Sequence, residues 1–115
     1  VMGCTGRTNN TTTPEATVQS YIQALVNKDS STLSSLSCAD WEASALMEYD
    51  SLQAVTVRLD GLDCTNTGEE GDYTLVNCTG KIIATYNGED QNFDLSSRIY
   101  KVLKQNSNYQ VCGYQ

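Results

Sequence analysis

From Asn92 to Gly113 the chain reads as two long strands joined by the turn Asn106–Ser107–Asn108. Phe93, Leu95, Ile99 and Leu103 recur on odd positions, the period of a strand with one covered face. Val111 and Cys112 follow, flanked by Tyr109 and Tyr114. A strand so near a chain end stays ordered only when tied into a sheet, and a cysteine beside it offers the tie. The rest of the chain is expected to pack on this hairpin.

Upstream, two more strands alternate. Val55, Val57 and Leu59 interleave with Thr56, Arg58 and Asp60. The apolar series resumes one step late at Leu62, so Gly61 marks a bulge. Thr65–Asp72, with two glycines and three acids, reads as an exposed loop, and Tyr73–Tyr86 as the second strand. Asn87–Gly88 is a hairpin turn, since both residues tolerate positive φ.

Helical signals come first in the chain. Thr13, Pro14 and Glu15 supply a capping hydroxyl, a proline at the first helical position and an acid near the positive end of the dipole. Val18, Tyr21, Ile22, Leu25 and Val26 then share one face. A short second helix, capped by Ser30 or Ser31, carries Leu33 and Leu36; a third, capped by Asp40, carries Trp41, Ala45, Leu46 and Tyr49. Three helices followed by four hairpin-linked strands imply an α+β fold, with three N-terminal helices packed on a four-stranded antiparallel meander.

The chain has five cysteines, which points to an oxidising compartment. The hairpin of the first two strands sets Cys64 opposite Cys78, and the remaining pair, Cys38 with Cys112, would staple the helical layer to the last strand. Cys112 is out of phase with Val111, so only one of the two can face the helices. Histidine is absent and no C-x-x-C pair occurs, so no metal centre and no cofactor are expected. Glu69–Glu70–Gly71–Asp72 lacks EF-hand spacing and reads as a solvated loop. The net charge of −7 disfavours nucleic acid and anionic lipid as partners.

Val1–Met2–Gly3–Cys4 resembles the lipobox of bacterial lipoproteins, and Cys4 is the cysteine left over once four pair. The resemblance implies lipid attachment at Cys4, with 1–13 as lipobox remnant and flexible polar tether and 14–115 as one domain. The expected location is therefore extracytoplasmic and membrane-anchored, or secreted if no lipid is added. Asn9, Asn10 and Asn77 begin N-x-T sequons, which matter only in a eukaryotic host.

The opening helix Pro14–Val26, the run Ile99–Gln105 (IYKVLKQ) and the closing Tyr109–Gly113 (YQVCG) resemble the nuclear-transport-factor-2-like, cystatin-like cone superfamily. Within it the chain is similar to small bacterial lipoprotein domains, over about Thr13 to Tyr114. The resemblance implies a helical layer on a strongly curved sheet enclosing a conical cavity. Members include isomerases, polyketide cyclases, transport adaptors and binding modules, so the fold does not choose a function. Dimerisation through the exposed sheet face is expected by analogy alone.

No catalytic residues are assigned. Asp94, Arg98 and Tyr100 share one side of the third strand, where an acid, a base and a phenol can orient a polar ligand. Because Phe93, Leu95 and Ile99 claim the covered face, the even positions Asp94, Ser96, Arg98 and Tyr100 read as the solvated or dimer-forming face. Trp41 and Tyr49 read as lining a cavity mouth or as core. The expectation is a non-enzymatic, lipid-tethered domain binding a protein partner or small ligand through its sheet face or cavity. The alternative is a small isomerase or cyclase with a carboxylate and tyrosine site inside the cone. A third reading, a secreted small-ligand carrier, requires an apolar pocket of roughly 300 Å³ or more.

Overall fold

A computed structural model describes residues 13–105 and 108–115. Cys4, the tether, Asn9, Asn10 and most of the turn at Asn106 lie outside the described residues. The fold is mixed α+β, with three helices and a five-stranded antiparallel sheet.

Helix α1 spans Pro14–Val26. The Thr13 side chain accepts from the Ala16 amide at 3.1 Å, and Pro14 contributes no orphan N–H. Its buried face, which includes Val18, Tyr21, Ile22 and Leu25, touches four of the five strands. Helix α2 spans Ser30–Ser35 and is capped by Asp29 through the Thr32 amide, rather than by either serine. Helix α3 spans Glu42–Ser51. Asp40 does not cap it; the Trp41 and Glu42 amides donate instead to the Cys38 carbonyl, each at 2.9 Å.

The strands are β1 (Thr56–Glu70), β2 (Tyr73–Tyr86), β3 (Glu89–Asp94), β4 (Ile99–Gln105) and β5 (Asn108–Tyr114). The segment expected to be one third strand is two. Residues 81–86 of β2 pair with β3 and residues 73–77 pair with β4, so β3 and β4 lie end to end along one side of β2. A single 3-10 turn, Leu95–Ser97, separates them. Asp94 makes that turn, accepting from the Ser96 amide at 2.9 Å and the Ser96 hydroxyl at 2.7 Å. Asn77, half-buried, fills the gap by donating to the Ser96 and Arg98 carbonyls at 3.1 and 2.8 Å.

The turn reverses the phase of burial. Before it, Phe93 pairs with Ile82 on the core-facing side of the sheet; after it, Tyr100 and Val102 are the buried residues. The expectation that Tyr100 sits on a solvated face is overturned: it is fully enclosed, and Phe93, expected to be covered, is 43% exposed.

Two further expectations change. The segment expected as the loop Thr65–Asp72 is mostly strand, since β1 runs to Glu70 and pairs there with Tyr73, with a register shift between Asn66 and Gly68. The other shift in β1, between Asp60 and Asp63, sits at Gly61 and faces Gly80.

Disulfides join Cys64 to Cys78 and Cys38 to Cys112, with Cα separations of 4.0 and 5.0 Å. Cys64 and Cys78 are direct register partners. Cys38 reaches Cys112 from the side rather than from above. The Val111 amide donates to the Leu36 carbonyl and the Cys38 amide to the Val111 carbonyl, so the segment after α2 runs along the free edge of β5. Lys101 pairs with Gly113 and Val102 with Val111, leaving Cys112 as the extra residue of a bulge. That bulge lets Val111 fill the core while Cys112 turns to the edge.

Candidate functional site

Helix α3 and its two capping residues place Trp41, Ala45, Glu48 and Leu52 at helical spacing, and this row packs on the core that includes the sheet. Three of the four are apolar. Glu48 is the exception, a carboxylate on the packed side of a helix, and it requires a partner there.

The partner comes from the end of the 3-10 turn. Arg98 Nη2 lies 3.1 Å from Glu48 Oε2, with only 23% and 20% of the two side chains exposed. Arg98 Nη1 donates to the Tyr100 hydroxyl at 3.1 Å, and the guanidinium lies 4.2 Å above the Tyr114 ring. Tyr100 stacks edge-on against Tyr21 and Tyr114, and Tyr114 against Trp41. The Trp41 indole N–H donates to the Tyr21 hydroxyl at 2.9 Å. The result is a continuous polar–aromatic cluster linking α1, α3, β4 and β5.

Burial pushes the Tyr100 phenol up to about 12; Arg98 opposes this, while Glu48 and Tyr114 add to it. Tyr21 is raised further, again first by burial, with the Trp41 N–H working against the shift and Glu48 reinforcing it. Both hydroxyls therefore stay protonated and available as donors at neutral pH.

Beside the cluster opens a pocket of about 90 Å³ lined by Glu48, Ser51, Leu52, Ile82, Phe93 and Arg98. It has room for a few waters or the end of an aliphatic group; a drug-sized molecule needs roughly 300 Å³ or more. Glu48 Oε1 is fully enclosed and accepts no hydrogen bond. A wider groove of about 460 Å³ is lined by Asp60, Gly80, Lys81, Asn92 and Asp94, on the opposite side of the sheet. It is the weaker candidate. Its lining includes the bulge partner Gly80, and the Asp94 carboxylate in it is already engaged by Ser96.

Of the residues singled out from the sequence, Arg98 and Tyr100 are in direct contact, and Trp41 joins them through Tyr21 and Tyr114. Tyr49 is not with them; its hydroxyl donates to the Lys28 carbonyl. Asp94 is exposed and serves the turn. Glu48, Tyr21, Tyr114 and Phe93 were not anticipated as site residues. The one available signal was Glu48 itself, a charge in the row Trp41, Ala45, Leu52. Among the described residues, no cluster of three or more cysteine, aspartate or glutamate side chains is arranged to hold a metal ion. No described helix is long and apolar enough to cross a membrane.

No family model and no curated protein matches the chain. Solved structures do. The chain is similar in fold to RPA3114, a SEC-C motif containing protein from Rhodopseudomonas palustris, at 14% identity and a TM-score of 0.59, covering 89% of this chain and 77% of that one. It is also similar to the helical cell shape determining protein Pgp2 from Campylobacter jejuni, at 12% identity and a TM-score of 0.55, covering 87% of this chain. The match spans 38% of Pgp2. At such identities the likeness concerns the fold alone.

Proposed function

We propose that this chain is a non-enzymatic extracytoplasmic binding domain of a lipid-anchored bacterial protein, with the cone-shaped architecture of the nuclear-transport-factor-2-like superfamily. It binds a partner or small ligand through the pocket between α3 and the β2–β3 ladder. One observation carries the binding reading. Glu48, which has one enclosed carboxylate oxygen without a donor, lines a pocket that a large, 43% exposed aromatic residue, Phe93, also lines. Native proteins leave few such acceptors unpaired, and those that exist call for a reason.

The extracytoplasmic part rests on the two disulfides, which suit an oxidising compartment. They use four of the five cysteines, so Cys4 belongs to neither, in keeping with a lipid at that position. Mass spectrometry of the precursor expressed in a bacterial host tests this part. A diacylglyceryl adduct on Cys4 is expected, and an unmodified Cys4 in membrane-free protein removes the anchor.

For the binding part, a fragment library titrated into isotope-labelled protein should give saturable amide shifts at Ser51, Leu52 and Phe93. Ser51→Trp, which blocks the mouth from an exposed position, should abolish them. Shifts that survive this substitution, or none at all, refute the pocket as the binding site.

The isomerase or cyclase reading draws on the chain of contacts from Glu48 through Arg98 to Tyr100 and Tyr21. Here the carboxylate is tied to Arg98, and the adjoining space is about 90 Å³. Those two features favour holding a ligand over turning over a ring-sized substrate.

A further inference from the structure

The edge of a sheet leaves a row of backbone groups unpaired, and native sheets cover or distort such rows. Two of the edges here are treated in that way. The segment Leu36–Cys38 bonds to the outer side of β5 through Val111. The outer side of β1 is broken by register shifts between Asp60 and Asp63 and between Asn66 and Gly68. β3 is different. Its register against β2 runs without a shift from Glu89 to Asp94, it holds no proline, and all six of its residues are exposed.

The two-residue turn Asn87–Gly88 makes Tyr86 and Glu89 a hydrogen-bonded pair. By alternation Gln91 and Phe93 also bond to β2, while Asp90, Asn92 and Asp94 turn their backbone groups outward. The Asp94 carbonyl is taken by the Ser97 hydroxyl at 3.0 Å. Among the described residues, the outward N–H and C=O of Asp90 and Asn92 have no partner. The space beside them continues an existing strand row. β5 runs antiparallel to β4 toward the 3-10 turn, and Gln115 exchanges both backbone bonds with Ile99, at 3.1 and 3.0 Å. Because β3 and β4 lie end to end, that row leads on along the outer side of β3.

Side chains select what fits there. Asp90, Asn92 and Asp94 share the face away from the helices, and Glu89, Gln91 and Phe93 share the helix side. Arg58 meets Asp90 at 3.5 Å in an exposed pair, and among the described residues Glu89 and Asp94 have no cation within salt-bridge distance. The edge is therefore acidic. Full antiparallel overlap of two β3 edges sets Glu89 of each copy against Asp94 of the other, and like charges directly opposite are destabilising. Basic residues opposite Asp90 and Asp94, with an apolar residue opposite the exposed Phe93, suit the same row.

We propose that the outer edge of β3 takes an extended cationic segment of a partner protein as an added strand, basic on one face and apolar on the other. Phe93 borders both this edge and the pocket beside Glu48, but the added strand requires no ligand in the pocket, so the two readings are tested apart.

A hexapeptide of alternating Lys and Val, blocked at both ends, is titrated into the isotope-labelled full chain. The amide shifts of Asp90 and Asn92 should saturate with a Kd on the order of 0.1–1 mM, the weak range open to a short flexible segment. Those two amides should also gain protection from hydrogen exchange. The Glu–Val counterpart should bind about tenfold more weakly or worse. So should the Lys–Val peptide N-methylated at its lysines, which keeps the charge but loses the donors that face β3. Asn92→Pro removes an outward N–H while sparing the β2 ladder, and should weaken the Lys–Val peptide by a similar factor. Ser51→Trp, at the pocket mouth, should leave its binding unchanged. Equal binding of the N-methylated peptide, or loss of binding in Ser51→Trp, overturns strand addition at this edge. Equal binding of the Glu–Val peptide overturns the cationic partner. Failure of the Asp90 and Asn92 shifts to saturate, or shifts that follow protein concentration without peptide, overturns the proposal as a whole.

Discussion

Arg98 Nη2 lies 3.1 Å from Glu48 Oε2, a contact that ties the last turn before β4 to the packed face of α3. Neither charge is deeply solvated. Breaking such a pair by deleting one partner costs more than deleting both, because the remaining charge stays desolvated.

Arg98→Met is therefore expected to destabilise the domain by about 2–4 kcal/mol, since it strands Glu48 and also removes the donor to Tyr100. Glu48→Leu with Arg98→Met should recover most of that loss. Urea unfolding of the single and double variants checks this. A double variant whose loss equals the sum of the two singles shows that the ion pair is not coupled.

The disulfides should contribute unequally. Cys38–Cys112 spans 74 residues of sequence and Cys64–Cys78 spans 14. Loop-closure entropy then gives about 4.5 kcal/mol for the first and about 3 kcal/mol for the second. Paired serine variants should lose stability in that order. Mild reductant should open Cys38–Cys112 first, because Cys112 is partly exposed at the sheet edge whereas Cys78 is fully buried. Mass mapping of alkylated thiols after partial reduction reads the order directly, and early alkylation of Cys64 and Cys78 contradicts it.

The elements set by local chemistry were legible in the sequence. Thr13–Pro14 starts α1, Asn87–Gly88 turns β2 into β3 with φ of +54° and +78°, and Gly61 marks the bulge. Cys64 and Cys78 fall opposite each other because the strand register already includes that bulge. What stayed hidden was the break at Leu95–Ser97. The odd-position alternation of Phe93, Leu95 and Ile99 runs across it unchanged. Leu95 is buried within the 3-10 turn itself, so its place in the series gives no hint that the strand has stopped. The Asp94–Leu95–Ser96 cap was the only local cue, and an aspartate followed by serine is as ordinary in a solvated strand edge. Missing the turn put Arg98 and Tyr100 on the wrong face, and with them the candidate site. The bulge at Cys112 was hidden for a related reason, because the edge partner Leu36–Cys38 is remote in sequence.

The bulge at Gly61 yields a sharp test of backbone packing. A Cβ on Gly80 would stand 2.5 Å from the Gly61 carbonyl oxygen, at a φ of +96°. Both obstacles are backbone, so no side-chain movement relieves them. Gly80→Ala should cost about 2–4 kcal/mol. Gly71→Ala, with φ +61° but open space around it, should cost only about 1 kcal/mol. Thermal unfolding of the two variants checks the contrast, and equal losses would mean that strain in φ alone decides both.

The tyrosine cluster makes alkaline stability a probe of the site. Tyr100 is held at about 12 by burial, above the ordinary phenol value near 10, and Tyr21 is raised as well. The folded state thus keeps protons that the unfolded chain gives up. Between pH 10 and about 12 the folded state binds more protons than the unfolded one, so stability falls as pH rises through that window. Below pH 10 both states are protonated at these groups and their contribution is fully present. For Tyr100 alone the loss across the window amounts to about 2 kcal/mol. Tyr100→Phe removes this linkage. Its stability at neutral pH should drop by about 1 kcal/mol, since Arg98 Nη1 loses its acceptor, but its decline between pH 10 and 12 should be shallower than that of the parent chain. Urea titrations at stepped pH, followed by circular dichroism, give both curves. If the two decline in parallel, Tyr100 does not carry the alkaline transition and its enclosure beside Glu48 and Arg98 has been misjudged.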